Sequence, residues 1–274
     1  MNRRHFTFAC QGETLAATVD LAEARTGLLI VTGGNELRSG PFGSHAGLAD
    51  KIATAGFPVM RYDRRGVGDS SGINASFADC GDDIAAALDA FRAQVPRLQR
   101  VVAFGNCDAA SALMLAQGQG CDGLVLANPW TFEPEVEEAV APEAQSEPEP
   151  QPQLSPAAIR RHYLKRLTSP SALLRLLTGK VKVRQMAESL ADAVKPAPPP
   201  SSLATTMADG LKAFTGPATI LIAENDRTAQ AFLEHWDKAD PRLRKCPGAG
   251  HSFAEPQARI WLQGQILGAL RAKG

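Results

Sequence analysis

Residues 101–111, VVAFGNCDAAS, decide how the chain is read. Apolar residues with strand character run into Gly105-Asn106-Cys107-Asp108-Ala109, and the small residues of a helix follow at once. A strand turning sharply into a helix lifts the central side chain, here Cys107, above the end of a sheet. Gly105 and Ala109, two before and two after, are small enough for the two backbones to pack closely. The helix start aims free amides and the positive end of its dipole at the sulfur, which favours thiolate over thiol. A free cysteine is more often a buried apolar filler. The turn separates Cys107 from Cys10, Cys80, Cys121 and Cys246, which have no such setting and read as structural.

Working outward from the turn, 3–10 and 13–21 read as antiparallel strands joined at Gln11-Gly12. The run 27–32, GLLIVT, reads as a buried parallel strand entering a loop at Gly33-Gly34. A helix over 45–55, a strand at 57–62 and a helix over 82–94 with apolar spacings of three and four follow. The strand at 100–105, helix at 109–117 and strand at 123–128 continue a βαβα rhythm, which implies a mostly parallel sheet with helices on both faces. The rhythm stops at Pro129 and resumes with a strand at 217–223, a helix near 228–238, a strand at 242–246 and a helix over 255–272. Residues 1–129 and 206–274 are therefore expected to form one α/β core, with 130–205 inserted as a helical cap. Within the insertion, 133–156 is a low-complexity acidic run that lacks the apolar surface to order itself. Residues 157–194 read as helical and basic, and are too few for a core of their own.

Composition narrows the functional classes. The chain has 274 residues, 44% hydrophobic and 21% charged, as is ordinary for a globular protein. Its 29 basic and 29 acidic residues cancel, so no global field points to nucleic acid. Five widely spaced cysteines without a CxxC pair argue against a disulfide framework and a zinc site, and no metal or cofactor is expected. The first residues lack the apolar run of a secretory leader, and no stretch reaches the roughly 20 apolar residues of a membrane span. A cytoplasmic location is the expectation.

A cysteine nucleophile needs a base, and the base an orienting acid. His251 lies in the loop between the last strand and the last helix, and Asp226 lies just after the strand at 217–223. The order cysteine, acid, histidine, all at carboxyl ends of parallel strands, is that of a catalytic triad. Glu224 is the competing acid. His5, His45, His162 and His235 read as incidental, and 63–72 (DRRGVGDSSG) reads as a structural loop with Asp63 bonding nearby backbone.

These features resemble the α/β-hydrolase superfamily, and most closely the exosortase-A-system-associated hydrolases, type 1. That group carries a Gly-x-Cys-Asp-x-Ala-Ser elbow, followed here by 105–111, a Gly-Gly loop, here Gly33-Gly34-Asn35, and an Asn-Asp-x-Thr-Ala stretch, here 225–229. Serine is the commoner nucleophile in the superfamily, and Ala109 stands where glycine is usual. The resemblance implies an oxyanion hole built from the backbone amide of Asp108 and a second amide, from Gly34 or Asn35. Only small residues let two amides converge about 3 Å from a developing oxyanion.

The expected chemistry is transfer of an acyl group from a small-molecule ester or thioester to Cys107 and on to water. Two further readings stay open: an acyltransferase with the same triad, and a silent hydrolase fold that binds without catalysis. The basic insertion suggests a lid whose Ile159, Tyr163, Leu167 and leucine cluster at 173–177 cover an acyl chain, while Arg175 and Lys180 meet an anion or a membrane surface. A plain helical cap with a solvated basic face fits the same residues. The oligomeric state is not legible.

Overall fold

The computed structural model describes residues 2–74, 76–132 and 202–272. Strands β1 (Asn2–Cys10) and β2 (Glu13–Leu21) form a hairpin whose register closes at Cys10 opposite Glu13. Gln11 and Gly12 both have positive φ, 49° and 82°, the conformation that a two-residue hairpin turn requires. Strands β3 (Thr26–Val31), β4 (Val59–Tyr62), β5 (Arg100–Asn106), β6 (Gly123–Ala127), β7 (Ala218–Ala223) and β8 (Leu243–Cys246) are mutually parallel. The eight strands lie in the order β1-β2-β4-β3-β5-β6-β7-β8, with β2 antiparallel to β4. The expected mostly parallel sheet is thus present, and β5, which leads into Cys107, is central in it.

The continuous apolar runs of the parallel strands follow from burial on both faces. Along β3, Leu28 and Ile30 point to one face and Leu29 and Val31 to the other. On the first face the strands meet α1 (Ser44–Thr54) through Ile52, and α6 (Pro256–Arg271) through Leu262, Ile266 and Leu270. The opposite face is covered by α2 (Gly81–Gln94), α3 (Asp108–Leu115), α4 (Ser202–Ala213) and α5 (Arg227–His235), with Phe91, Leu113, Met207 and Phe232 in contact. Each fully buried side chain of this size contributes about 1.5–3 kcal/mol relative to exposure.

Helix α4 is an element the sequence reading leaves unassigned, and it begins at Ser202, within the residues expected to be cap. It lies against α3 at Gly210, where a Cβ would stand 2.1 Å from the Met114 carbonyl oxygen. The acidic run at 133–156 and the basic segment at 157–194, with Ile159, Tyr163, Leu167, Arg175, Lys180 and His162, lie outside the described residues. Among the described residues, no helix is long and apolar enough to cross a membrane.

Candidate active site

Cys107 occupies the turn between β5 and α3 with φ 61° and ψ −127°, a conformation rarely adopted by residues other than glycine. The turn is held from several sides. Cys107 N donates to Ala127 O (2.9 Å), and Cys107 O accepts from Ala110 N (3.1 Å). A Cβ on Gly105 would stand 2.7 Å from the backbone carbon and oxygen of Ala109, so only glycine lets α3 start this close to β5. Ser111, inside α3, accepts from Trp130 N (2.8 Å) and donates to Trp130 O (2.7 Å), tying the chain after β6 to the same turn.

Asp226 and His251 reach the site from the ends of β7 and β8. Asp226 caps α5: its carboxylate accepts from Thr228 N (3.3 Å) and Ala229 N (3.1 Å). The same buried carboxylate lies 3.0 Å from His251 Nδ1. Glu224 stands just past β7 and is exposed, and its carbonyl accepts from Gln230 Nε2 (3.1 Å). The structure therefore brings Cys107, Asp226 and His251 together and leaves Glu224 outside.

The charges of the site act on one another. Burial alone would depress His251, but its hydrogen bonds to Asp226 and Cys107 and the negative charges of both outweigh it, raising the imidazole to about 10. For Cys107, burial pushes the thiol up; the hydrogen bond and charge of His251 pull it down, the Asp108 charge raises it, and the Asp108 amide lowers it, with a net rise.

The expected oxyanion donors are arranged less simply. The Asp108 amide faces the Cys107 sulfur. Gly34, with φ 43°, donates its amide to Asp108 Oδ2 at 2.5 Å, so this donor is taken by a side chain. Gly33 makes the approach feasible, since a Cβ there would stand 1.9 Å from Asp108 Oδ1. The Asn35 side chain accepts from Asn74 Nδ2 (2.7 Å). The sequence points to Asp108 only as a backbone donor, whereas in the fold its carboxylate also takes the Gly34 amide.

Asn128 is a second group that the sequence reading missed, having placed it only as the end of a strand. It is fully buried, with φ 43°. Its Oδ1 accepts from Ala223 N (2.8 Å), and its Nδ2 donates to Asn106 Oδ1 (3.1 Å) and His251 O (3.0 Å). One amide thus ties the end of β5, the end of β7 and the His251 loop. The remaining described histidines lie elsewhere: His5 bonds Thr18 on the outer hairpin (3.0 Å), His45 is buried on α1, and His235 ends α5. Asp63 accepts from the Arg38 amide (2.5 Å) and the Asp69 amide (3.2 Å), and also pairs with the Arg38 guanidinium.

No curated sequence matches the chain. Among solved structures the fold is similar to the esterase Pf2001 of Pyrococcus furiosus, at 12% identity over 98% of this chain and 90% of that one, with a TM-score of 0.60. Est1E of Butyrivibrio proteoclasticus, solved with ferulic acid bound, is similar at 14% identity over 97% of this chain and 100% of that one, TM-score 0.60. The α/β hydrolase GrgF from Penicillium sp. sh18 is similar at 16% identity over 99% and 98% of the two chains, TM-score 0.60. At these identities the likeness is one of fold. Residues 29–260, from β3 into α6, match the profile of the alpha/beta hydrolase family. With a sheet in this order and a strand-to-helix turn at its centre, the chain belongs to the alpha/beta hydrolase family.

Proposed function

We propose that the protein cleaves an ester or thioester through an acyl-enzyme on Cys107, with His251 as general base and Asp226 as the acid that orients it. The observation that carries this reading is the Asp226–His251 pair at 3.0 Å, set beside a cysteine held at positive φ above the end of the sheet. Cys107 Sγ forms a bond to the carbonyl carbon as its proton passes to His251. The tetrahedral oxyanion is met by the Asp108 amide. Collapse expels the alcohol or thiol, which takes the proton from His251. Water then attacks the thioester while His251 accepts its proton, and the acid is released with Cys107 restored.

A thiolate is both a good nucleophile and a good leaving group, so attack by water on the acyl-enzyme is the harder half. Activated acyl groups, thioesters and aryl esters, are the substrates this favours. The elbow at 105–111 supports kinship with the exosortase-A-system-associated hydrolases, type 1. The test is release of p-nitrophenol from acetate, butyrate and octanoate esters by wild type, Cys107→Ala and His251→Ala, with intact mass followed in parallel. Turnover lost in both variants and an acyl mass on Cys107 are expected. A stable adduct without turnover would mean that an acceptor other than water is required. No adduct, and equal rates in all three proteins, would sink the reading.

A further inference from the structure

Beside the elbow stands a buried cation that no carboxylate contacts among the described residues. Arg64 is 3% exposed, yet no described carboxylate pairs with it. Its neighbour Arg65 pairs with Asp83 at 2.5 Å, and Arg38 pairs with Asp63 and Asp69. Arg64 instead donates from Nη2 to the Gly34 carbonyl and hydrogen-bonds the Cys80 sulfur, its charge is felt by Glu36 without an ion-pair contact, and its Nε has no hydrogen-bond partner. Taking a guanidinium out of water costs several kcal/mol unless an anion faces it. The planar fork of arginine is suited to a carboxylate or phosphate.

Arg64 lines a cleft of about 300 Å3 together with Gly34, Asn35, Asn74, Ser76 and Asp108. The cleft is lined by Asp108, the residue following Cys107, which sets it beside the elbow. Among the described residues Asp108 is the only acid on its wall, and that carboxylate already takes the Gly34 amide. The cleft therefore holds one anion of the protein's own, the Asp108 carboxylate, seated on the amide of Gly34, whose carbonyl accepts from Arg64.

We propose that this cleft is an anion subsite, in which Arg64 receives a carboxylate or phosphate carried by the substrate and Asp108 is the resident competitor. The proposal rests on the acyl-enzyme reading and names its substrate class: acyl esters or thioesters with an anionic group near the scissile bond. Asp108 repels that group until its own carboxylate gives way, so the two residues act in opposite directions on the same preference.

Two substrate pairs test this on the full chain. p-Nitrophenyl hemisuccinate against p-nitrophenyl 4-methylpentanoate compares a carboxylate with its neutral isostere on the acyl side. Butyryl-coenzyme A against butyryl-N-acetylcysteamine compares phosphate with no charge on the leaving side. In at least one pair, wild type is expected to favour the anionic member in kcat/KM by about tenfold or more. Arg64→Gln should abolish that preference and Asp108→Asn should enlarge it. No preference in either pair, or one that Arg64→Gln leaves intact, overturns the subsite.

Binding separates this outcome from failure of the acyl-enzyme. Succinate and inorganic phosphate are titrated calorimetrically into wild type, Arg64→Gln and Asp108→Asn. At least one anion should bind wild type, lose its affinity in Arg64→Gln and bind more tightly in Asp108→Asn, whether or not Cys107 is acylated by p-nitrophenyl acetate. Should Arg64→Gln fail to fold, Asp108→Asn carries the test, because an unchanged anion affinity there refutes the competition.

Discussion

Replacing Asn128 tests whether one buried amide holds the candidate site together. In Asn128→Ala, the Ala223 amide loses its acceptor at 2.8 Å, and Asn106 and the His251 carbonyl lose donors at 3.1 and 3.0 Å. Each bond is worth about 1 kcal/mol net, and the stranded Ala223 amide lies toward the upper end of about 1–3 kcal/mol. Alanine at φ 43° adds roughly 1 kcal/mol of left-handed strain. The loss should be about 3–5 kcal/mol, which for a domain of this size lowers Tm by about 6–20 °C. Asn128→Gly removes the same bonds but adopts that φ freely, and so isolates the side chain. Both variants free the His251 carbonyl, leaving only the longer Asn106 Nδ2 contact of 3.4 Å. A shift of about 1 Å in a catalytic group costs on the order of a hundredfold in rate. Thermal melts, p-nitrophenyl acetate kinetics and the pH profile of Cys107 alkylation by iodoacetamide measure the two effects separately. If Tm falls as stated while kcat/KM stays within about twofold and the alkylation profile is unchanged, Asn128 staples strands and does not position His251.

Other perturbations address the elbow and its charges. Gly105→Ala forces a Cβ to 2.7 Å from backbone atoms of Ala109 that have no room to yield, and should cost about 1–3 kcal/mol or more in urea unfolding. On the proposed mechanism, a doubly protonated Cys107–His251 pair must lose one proton before attack. Because His251 is raised to about 10 and Cys107 is raised by burial, kcat/KM toward p-nitrophenyl acetate should climb through neutrality and level only in the alkaline range. Asp226→Asn should move that midpoint down from about 10 toward the ordinary histidine value of 6.5, and lower the plateau. The sign for stability follows from the same shift. A raised imidazole stabilises the fold fully below 6.5 and loses this contribution as pH rises toward 10, so the stability gap between wild type and Asp226→Asn should narrow on the alkaline side.

Much of the fold is legible because the strands obey local rules. The hairpin of β1 and β2 is readable from Gln11-Gly12, and β3 and β5 are readable because burial on both faces demands unbroken apolar runs. Asp226 is separable from Glu224 because an aspartate directly before a helix is also its cap. Helix α4 is not legible: Met207 and Leu211 are its few large buried residues, and Gly210 weakens its propensity. What favours the helix is its seat on α3, which a glycine alone permits. Asn128 is hidden for a similar reason. An asparagine after a strand reads as an ordinary turn residue, and its partners at 106, 223 and 251 become neighbours only when the parallel sheet closes.

Asp108 shows most plainly why spacing alone misreads the site. From the sequence it is the residue after the cysteine, useful for its backbone amide. In the fold its carboxylate crosses to Gly34, 74 residues away, and binds the amide expected to share the oxyanion. The same charge raises the Cys107 thiol. Withdrawal of this one side chain would therefore free a hydrogen-bond donor and remove a charge that opposes the thiolate, coupling two requirements of acyl transfer in one rotation. A serine at position 107 would gain only the first, since a serine hydroxyl attacks with its proton leaving in the same step, whereas a cysteine can ionise beforehand. Cysteine is the nucleophile for which an adjacent carboxylate matters twice, and on the proposed mechanism this residue pair is where the chemistry of the site would be tuned.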